Sequence, residues 1–378
     1  MRIVRVHVEN FRGIKLADIY FEGTTVLLGD NNTGKSTVFE AIELAIGADR
    51  LARTQAIDEH DFYGGDYRAV ENQPPKIIVV EVVIAGLDEQ HCTKFRNNLE
   101  FWRTADRSLL GAGTAGGAAQ AGTEPAVRVR FEGAYDSEND EFTAKTWFAV
   151  PRQEDGTPIS ECRSGDKREF GFLHLRALRT GNRALSMERG SLLDVILKTY
   201  EVRTRMWEGL LGRLRGLDVV GEEDAEFGRI LTAIRDAMRE IVPGEWADAP
   251  HLRVSELTRE DLRRVLKSFL ATGVPGYAAP FQHQGSGTIN ALVLAMLGLI
   301  AQRRNGRVIF AMEEPELSLP PHVQKRVVDK VRELAAQALF TSHSPYVIEQ
   351  FTPEQMTVLT RDNAGLLTAT SVVLPDNL

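Results

Sequence analysis

The sequence predicts an α/β fold with a mixed central sheet, divided by a helical insertion. Three observations predict it. Short apolar, β-branched stretches alternate with amphipathic helical stretches near both ends of the chain. A glycine-rich turn joins one such strand to a helix near the N-terminus. A second strand ending in carboxylates follows about 280 residues later, beyond a long charged helical region.

Ile3, Val6 and Val8 alternate with Arg5 and His7, as a half-buried strand does. Asn10-Phe11-Arg12-Gly13 reads as a turn and Asp18–Phe21 as the next strand. Thr24–Leu28 is short, apolar and β-branched, which suits a strand covered on both faces. From Val38 to Ile46, the positions Phe39, Ile42, Leu44, Ala45 and Ile46 carry helical spacing. Lys76–Ile84, Val127–Phe131 and Thr146–Val150 read as strands. Gly111–Gly122 is rich in small residues but has no Lys-Ser/Thr pair and no strand leading in, so it reads as a surface loop. Gly190–Leu270 carries helical apolar stripes, such as Leu192, Leu193, Ile196 and Leu197, amid nearly balanced charges. This predicts three parts: residues 1–189, an insertion over 190–270, and residues 271–378. In the last part Thr288–Gln302 and Pro321–Gln337 read as helices, the second with proline at its start. Arg307–Met312, Ala338–Thr341, Met356–Thr360 and Leu367–Val373 read as strands, and Ser344–Gln350 as a short helix.

Composition excludes several classes. The chain has 378 residues, a net charge of -8, 43% hydrophobic and 26% charged residues, which is enough apolar content to build a core. Two cysteines, Cys92 and Cys162, exclude a disulfide scaffold and fit the reducing cytoplasm. The longest apolar run, Ile289–Ala301, is too short for a membrane span. The alternating N-terminus is no signal peptide. Net acidity argues against a surface that is basic throughout, and leaves room for a local basic groove.

Gly29–Ser36 fits G-x-x-x-x-G-K-[ST] at every fixed position, between a buried strand and a helix. Gly29 and Gly34 permit a tight curve whose backbone N–H groups point at phosphate oxygens. Lys35 brings positive charge to the outer phosphates, Ser36 offers a hydroxyl to Mg²⁺, and the helix adds its positive end. Such a loop needs an acid on a neighbouring strand. Val308-Ile309-Phe310-Ala311-Met312-Glu313-Glu314 supplies two at a strand's C-terminal end, where open α/β sheets bind ligands. Adjacent strand residues point to opposite faces, so the two acids take different roles: Glu313 supports Mg²⁺ and Glu314 orients the attacking water. His343, at the end of the next short strand, then reaches the γ-phosphate.

Together these residues resemble the ABC-type P-loop ATPase heads of the SMC, RecF and OLD (overcoming lysogenization defect) group, over nearly the whole chain. Asn10-Phe11-Arg12-Gly13-Ile14 looks like that group's N-terminal element. Gly29-Asp30-Asn31-Asn32-Thr33-Gly34-Lys35-Ser36 resembles its phosphate loop. Glu313-Glu314-Pro315-Glu316-Leu317 resembles the OLD Walker B segment, and Thr341-Ser342-His343-Ser344-Pro345 its switch. The resemblance implies an ATPase that uses ATP and Mg²⁺. Its nucleotide-binding residues would be Arg12, Gly29, Asn31, Asn32, Thr33, Gly34, Lys35, Ser36 and Thr37, with Lys35, Glu314 and His343 catalytic and Ser36 and Glu313 at the metal. Arg176 and Arg179, in Leu175-Arg176-Ala177-Leu178-Arg179, would lie near the phosphates. A homodimer would sandwich ATP, with Gly285, Ser286 and Gly287 as the signature given to the opposite head. The insertion stands where OLD nucleases dimerise, and it has no room for the sustained heptads of SMC arms.

OLD relatives carry a Toprim nuclease after the ATPase, which needs an Asp-x-Asp metal pair. Only 35 residues follow His343, with Asp362 and Asp376 as their aspartates. Nuclease chemistry is therefore not expected from this chain alone, and a truncated ATPase region is favoured over a naturally lone head. The resemblance adds DNA and a helicase as partners of the fuller protein, and no membrane. The competing reading is a stand-alone RecF/SMC-like ATP-dependent DNA-binding protein.

Overall fold

A computed structural model of the chain describes residues 1–48, 56–68, 75–110, 121–154, 156, 158–176, 186–187, 191–215, 229–230, 232–234, 236–237, 258–266, 269–271, 278–280, 283–303, 307–316 and 321–372. The chain divides into two units, residues 1–181 with 285–378, and residues 182–284.

The N-terminal part of the first unit carries β1 (Arg2–Phe11), β2 (Ile14–Tyr20), β3 (Thr25–Leu28), α1 (Lys35–Ile46), β4 (Ile78–Ala85) and α2 (Glu89–Lys94). It continues with β5 (Leu99–Arg103), β6 (Ser108–Leu110), β7 (Thr123–Asp136), β8 (Glu141–Phe148), α3 (Ser164–Glu169) and β9 (Phe172–Leu175). The second unit holds α4 (Leu192–Thr199), α5 (Arg203–Arg215), α6 (Arg259–Val265) and a small hairpin of β10 (Phe269–Ala271) and β11 (Ala278–Pro280). Asp194 organises its helices. Its carboxylate takes Arg203 from α5 and Arg263 from α6, and the Arg263 guanidinium stands 5.3 Å from the centre of the buried Trp207 ring. The first unit resumes with α7 (Ser286–Arg303), β12 (Ile309–Glu313), α8 (Pro321–Leu334), β13 (Gln337–Thr341), α9 (Pro345–Ile348), β14 (Met356–Arg361) and β15 (Leu366–Ser371). No helix among the described residues is long and apolar enough to cross a membrane.

One mixed sheet runs through the first unit in the order β6-β5-β7-β4-β1-β2-β15-β14-β3-β13-β12-β9, with β8 paired to β7. Its two halves differ in kind. From β6 to β2 neighbouring strands are antiparallel, whereas β14, β3, β13, β12 and β9 are parallel. The parallel strands β12 and β13 are almost wholly buried, as strands covered on both faces are. The Gln337 side chain ties the halves together, accepting from the Ile3 N–H at 2.7 Å and donating to the Ile3 and Gly23 carbonyls.

The helix α1 lies against this sheet. Val38, Phe39, Ala41, Ile42, Leu44, Ala45 and Ile46 are all fully buried, in one core with Val6, Val8, Val80, Val82, Val129, Ile309 and Leu339. A helix with so wide an apolar face has no freedom to roll, so the residues at its N-terminus are fixed by packing. Truncating Phe39 to alanine in such a core costs about 3–5 kcal/mol.

The second strand starts at Ile14 and not at Asp18. Asn10 and Arg12 take left-handed backbone angles, φ 54° and 50°, which closes a tight turn with Phe11 opposite Ile14. β7 runs 14 residues, well past Val127–Phe131, because its N-terminal part pairs with β5 and its C-terminal part with β8. Residues 111–120, most of the Gly111–Gly122 loop, lie outside the described residues, as do Ala177–Arg179 and Leu317.

The far end of α1 is held by a buried lysine. Lys167 on α3 donates through Nζ to the Leu44 carbonyl at 3.1 Å and to Thr146 Oγ1 at 2.9 Å. Burial pushes its pKa down to about 8, while burial pushes the Cys162 thiol up to about 12. The unfolded lysine keeps its proton to about pH 10.5, so the unfolded chain binds more protons between pH 8 and 10.5. Stability carried by this group therefore rises with pH in that window. Wild type should gain about 2 kcal/mol relative to Lys167→Met between pH 8 and 10 in urea unfolding. A difference that stays flat across that range would contradict a depressed Lys167 pKa.

Candidate functional site

In the parallel half of the sheet β3, β13 and β12 align their C-terminal ends. β3 runs directly into the loop at Gly29. Gly29 has φ 146°, and a Cβ there would stand 2.6 Å from the Leu359 carbonyl oxygen, so only glycine lets the loop leave the strand this close to β14. Asn32 and Gly34 also take left-handed angles, φ 65° and 111°, and Gly34 is the N-cap of α1. The curl is held from inside. Thr33 Oγ1 donates to the Asp30 carbonyl at 2.9 Å, and Lys35 Nζ donates to the Gly29 and Asp30 carbonyls, both at 2.8 Å. Burial pushes the Lys35 pKa down, against Glu314 and Asp30, whose charges pull it up.

Glu314 follows β12 with φ 43°, and its N–H donates to the Thr341 carbonyl of β13 at 2.9 Å. That left-handed residue breaks the strand's alternation, a costly conformation that the β13 bond maintains. His343 follows β13. Its N–H donates to Glu316 Oε1 at 2.8 Å, and the next residue, Ser344, donates through Oγ to Gln324 Oε1 on α8 at 2.7 Å. The switch segment is thus held both by the turn after β12 and by α8.

These elements enclose a cavity of about 780 Å³. Asn31, Asn32, Gly34, Lys35, Ser36 and Thr37 line it from the loop and α1, and Glu314 and His343 from neighbouring strand ends. Gly13 and Arg361 complete the lining. Gly29 and Thr33 shape the loop without lining the cavity. The signature residues begin α7 at Ser286, just after an exposed Gly285.

Arg12, Glu313 and Arg176, also expected at the nucleotide, are not among the lining residues either. Arg12 pairs with Glu40 and, through Nε, with Asp61 Oδ1 at 2.8 Å. Glu313, expected to support Mg²⁺, meets His174 Nε2 at 2.8 Å. The other nitrogen of His174 stands 3.3 Å from Glu43, and Arg176 pairs with Glu43 at 3.0 Å and reaches Glu40 at 3.7 Å. A continuous chain of charges therefore runs from Asp61 through Arg12, Glu40, Arg176, Glu43 and His174 to Glu313. Burial works to lower the His174 pKa, and hydrogen bonds to Glu313 and Glu43 more than offset it, so the pKa is raised. The imidazole ring is buried, at right angles to Phe39.

The donor set fits a magnesium nucleotide. The Ser36 hydroxyl and the Glu314 carboxylate face one cavity, and no cluster of three or more His, Cys, Asp or Glu among the described residues forms an all-protein metal cage. Mg²⁺ is commonly held this way, by one or two protein oxygens together with substrate phosphates.

Three features escaped the sequence reading. Arg361 and Gly13 line the cavity, and His174 fixes Glu313. A cation just past an apolar strand was the visible signal for Arg361, but its place depends on β14 lying parallel to β3.

The AAA ATPase domain family matches residues 1–101 and 255–348, more than half of the chain. The chain belongs to that family and is accordingly an ATP-hydrolysing protein. It is also 39% identical over 102 residues to the DNA double-strand break repair Rad50 ATPase of Methanopyrus kandleri, a match covering 27% of this chain and 10% of that protein. Among solved structures, an SMC head bound to the C-winged helix domain of ScpA aligns with TM-score 0.49 and 14% identity, over 99% of both chains. The SMC head domain from Thermotoga maritima aligns with TM-score 0.42 and 13% identity, over 99% of this chain and 100% of that one.

Replacing His174 by leucine leaves Glu43 and Glu313 without their shared hydrogen-bond partner. Removing one partner of a buried charge cluster costs about 3–5 kcal/mol. Urea unfolding of His174→Leu should show a loss of that size. A variant as stable as wild type would mean that the two carboxylates do not depend on the imidazole.

Proposed function

We propose that the chain is the ATP-hydrolysing ABC-type head of an OLD-family protein, which dimerises around ATP and regulates DNA processing by a nuclease domain outside this sequence. The observation that carries the reading is the single cavity shared by Lys35, Ser36, Glu314 and His343, contributed by three neighbouring parallel strands and the loop between them. The loop N–H groups and Lys35 bind the outer phosphates. Glu314 orients the attacking water and accepts its proton, and His343 contacts the terminal phosphate. Ser36 would hold Mg²⁺, whose charge would offset that of the phosphates, and Glu313, bonded to His174, would support that site. Arg12 acts behind the cavity through Glu40. Gly285, Ser286 and Gly287, opening α7, serve the opposite head, and residues 190–270 form the dimerisation insertion. A reducing cytoplasm suits the two free thiols, Cys92 and Cys162.

A second reading, an ATP-controlled DNA-binding head without nuclease chemistry, is favoured by the segment shared with a protein whose name places it in DNA break repair. DNA binding by this chain alone, steeply weakened by salt and altered by ATP, favours this second reading; its absence favours the first.

Glu314→Gln should bind ATP as wild type does, lose at least 100-fold in turnover, and accumulate an ATP-bound dimer on size-exclusion chromatography. Wild-type turnover in that variant would overturn the role given to Glu314.

A further inference from the structure

We propose that Arg361 is the residue that receives the nucleoside end of the nucleotide, its guanidinium plane stacking on the base. The proposal rests on the reading of the cavity as an ATP site, and goes beyond the phosphate-directed residues.

The register of the sheet carries the argument. Glu313, Thr341, Leu27 and Thr357 stand side by side in one row across β12, β13, β3 and β14. The groups assigned to the terminal phosphate, Glu314 and His343, follow β12 and β13, on one flank of β3. Arg361 ends β14 on the other flank, four residues past Thr357, and lines the same cavity. At the usual strand spacing, β12 and β14 stand about 14 Å apart. Phosphates seated on the loop, with their terminal group turned toward β12 and β13, leave the β14 flank to the rest of the nucleotide.

The guanidinium is also prepared for such a contact. Arg361 Nη1 donates to the Gly13 carbonyl at 3.2 Å, and the remaining donors and the planar face belong to an exposed side chain. The turn that carries it is fixed from several sides. The Lys15 N–H donates to the Gly365 carbonyl at 2.8 Å, Tyr63 Oη donates to the Ala364 carbonyl, and Asp362 Oδ1 accepts the N–H groups of Ala364 and Leu366. Gly13 makes room for the side chain: a Cβ there would collide with Arg361 Nη1. A planar cation held by a rigid turn loses little freedom when it stacks on an aromatic ring, which a lysine ammonium cannot reproduce.

The test measures binding of ADP, ATP and inorganic tripolyphosphate to the whole chain by calorimetry. Arg361→Gln should weaken ADP and ATP by about tenfold each and leave tripolyphosphate unchanged. Arg361→Lys should be as weak as Arg361→Gln, and Gly13→Ala, which displaces the guanidinium, should weaken ADP in the same direction. Lys35→Ala reports on the underlying reading and should weaken all three ligands. If Lys35→Ala loses affinity while Arg361→Gln binds ADP like wild type, the proposal falls and the ATP site stands. A loss of tripolyphosphate as large as that of ATP would make Arg361 a phosphate ligand and overturn the proposal. So would full ADP affinity in Arg361→Lys. If wild type binds none of the three, the reading of the cavity fails and takes the proposal with it.

Discussion

The backbone register between β3 and its parallel neighbours decides where each site group stands. Hydrogen bonding sets Glu313, Thr341, Leu27 and Thr357 level with one another, so that β12, β13 and β3 end within a residue of one height while β14 runs on to Arg361. The loop, Glu314, His343 and Arg361 are what each chain segment does next. A slip of one residue in any of these ladders would turn the strand's side chains over and remove its contribution. The core enforces the register from both faces, through fully buried Leu27, Ile309, Ala311 and Leu339 on one and Val26, Phe310 and Phe340 on the other. Apolar packing that looks remote from the chemistry is therefore what sets its geometry.

Charge is arranged in two layers around α1. Lys35, Ser36 and Glu314 line the cavity, while the line from Asp61 to Glu313 gives no residue to that lining. The second layer explains how Glu40 and Glu43 can sit on the helix that begins at the phosphate loop: Arg12 and Arg176 pair with them, and His174 bonds Glu43. Arg12 belongs to the same element as Gly13, whose carbonyl holds Arg361. One short turn thus serves both layers, bracing α1 with its charged residue and giving Arg361 its place with its glycine.

The features legible in the sequence were those whose chemistry is local. The phosphate loop, the apolar strand ending in Glu313-Glu314 and the strand before His343 each announce themselves within ten residues, and the mixed sheet follows from their alternation with helices. What escaped depends on pairings distant in sequence. His174 lies 139 residues from Glu313, and Arg361 lies 348 from Gly13. Neither shows a periodic or motif signal, because neither partner constrains its own neighbours. That Glu313 and Glu314 have different surroundings was legible in their adjacency at a strand end. Which of the two faces the cavity was not, because it depends on the left-handed backbone at Glu314 and on the histidine waiting beneath Glu313. The start of β2 was misjudged for a related reason: left-handed angles at Asn10 and Arg12 tighten a turn that composition alone leaves loose.

The central claim is that one cavity gathers a nucleotide's phosphates and the groups that act on them. A crystal structure of the Glu314→Gln chain with Mg²⁺ and ATP tests it most directly. The account predicts triphosphate density on the backbone of residues 29–36, with Lys35 at the outer phosphates and the terminal phosphate turned toward His343 and the substituted side chain after β12. A nucleotide bound elsewhere, or one on the loop whose terminal phosphate points toward Arg361, would contradict it.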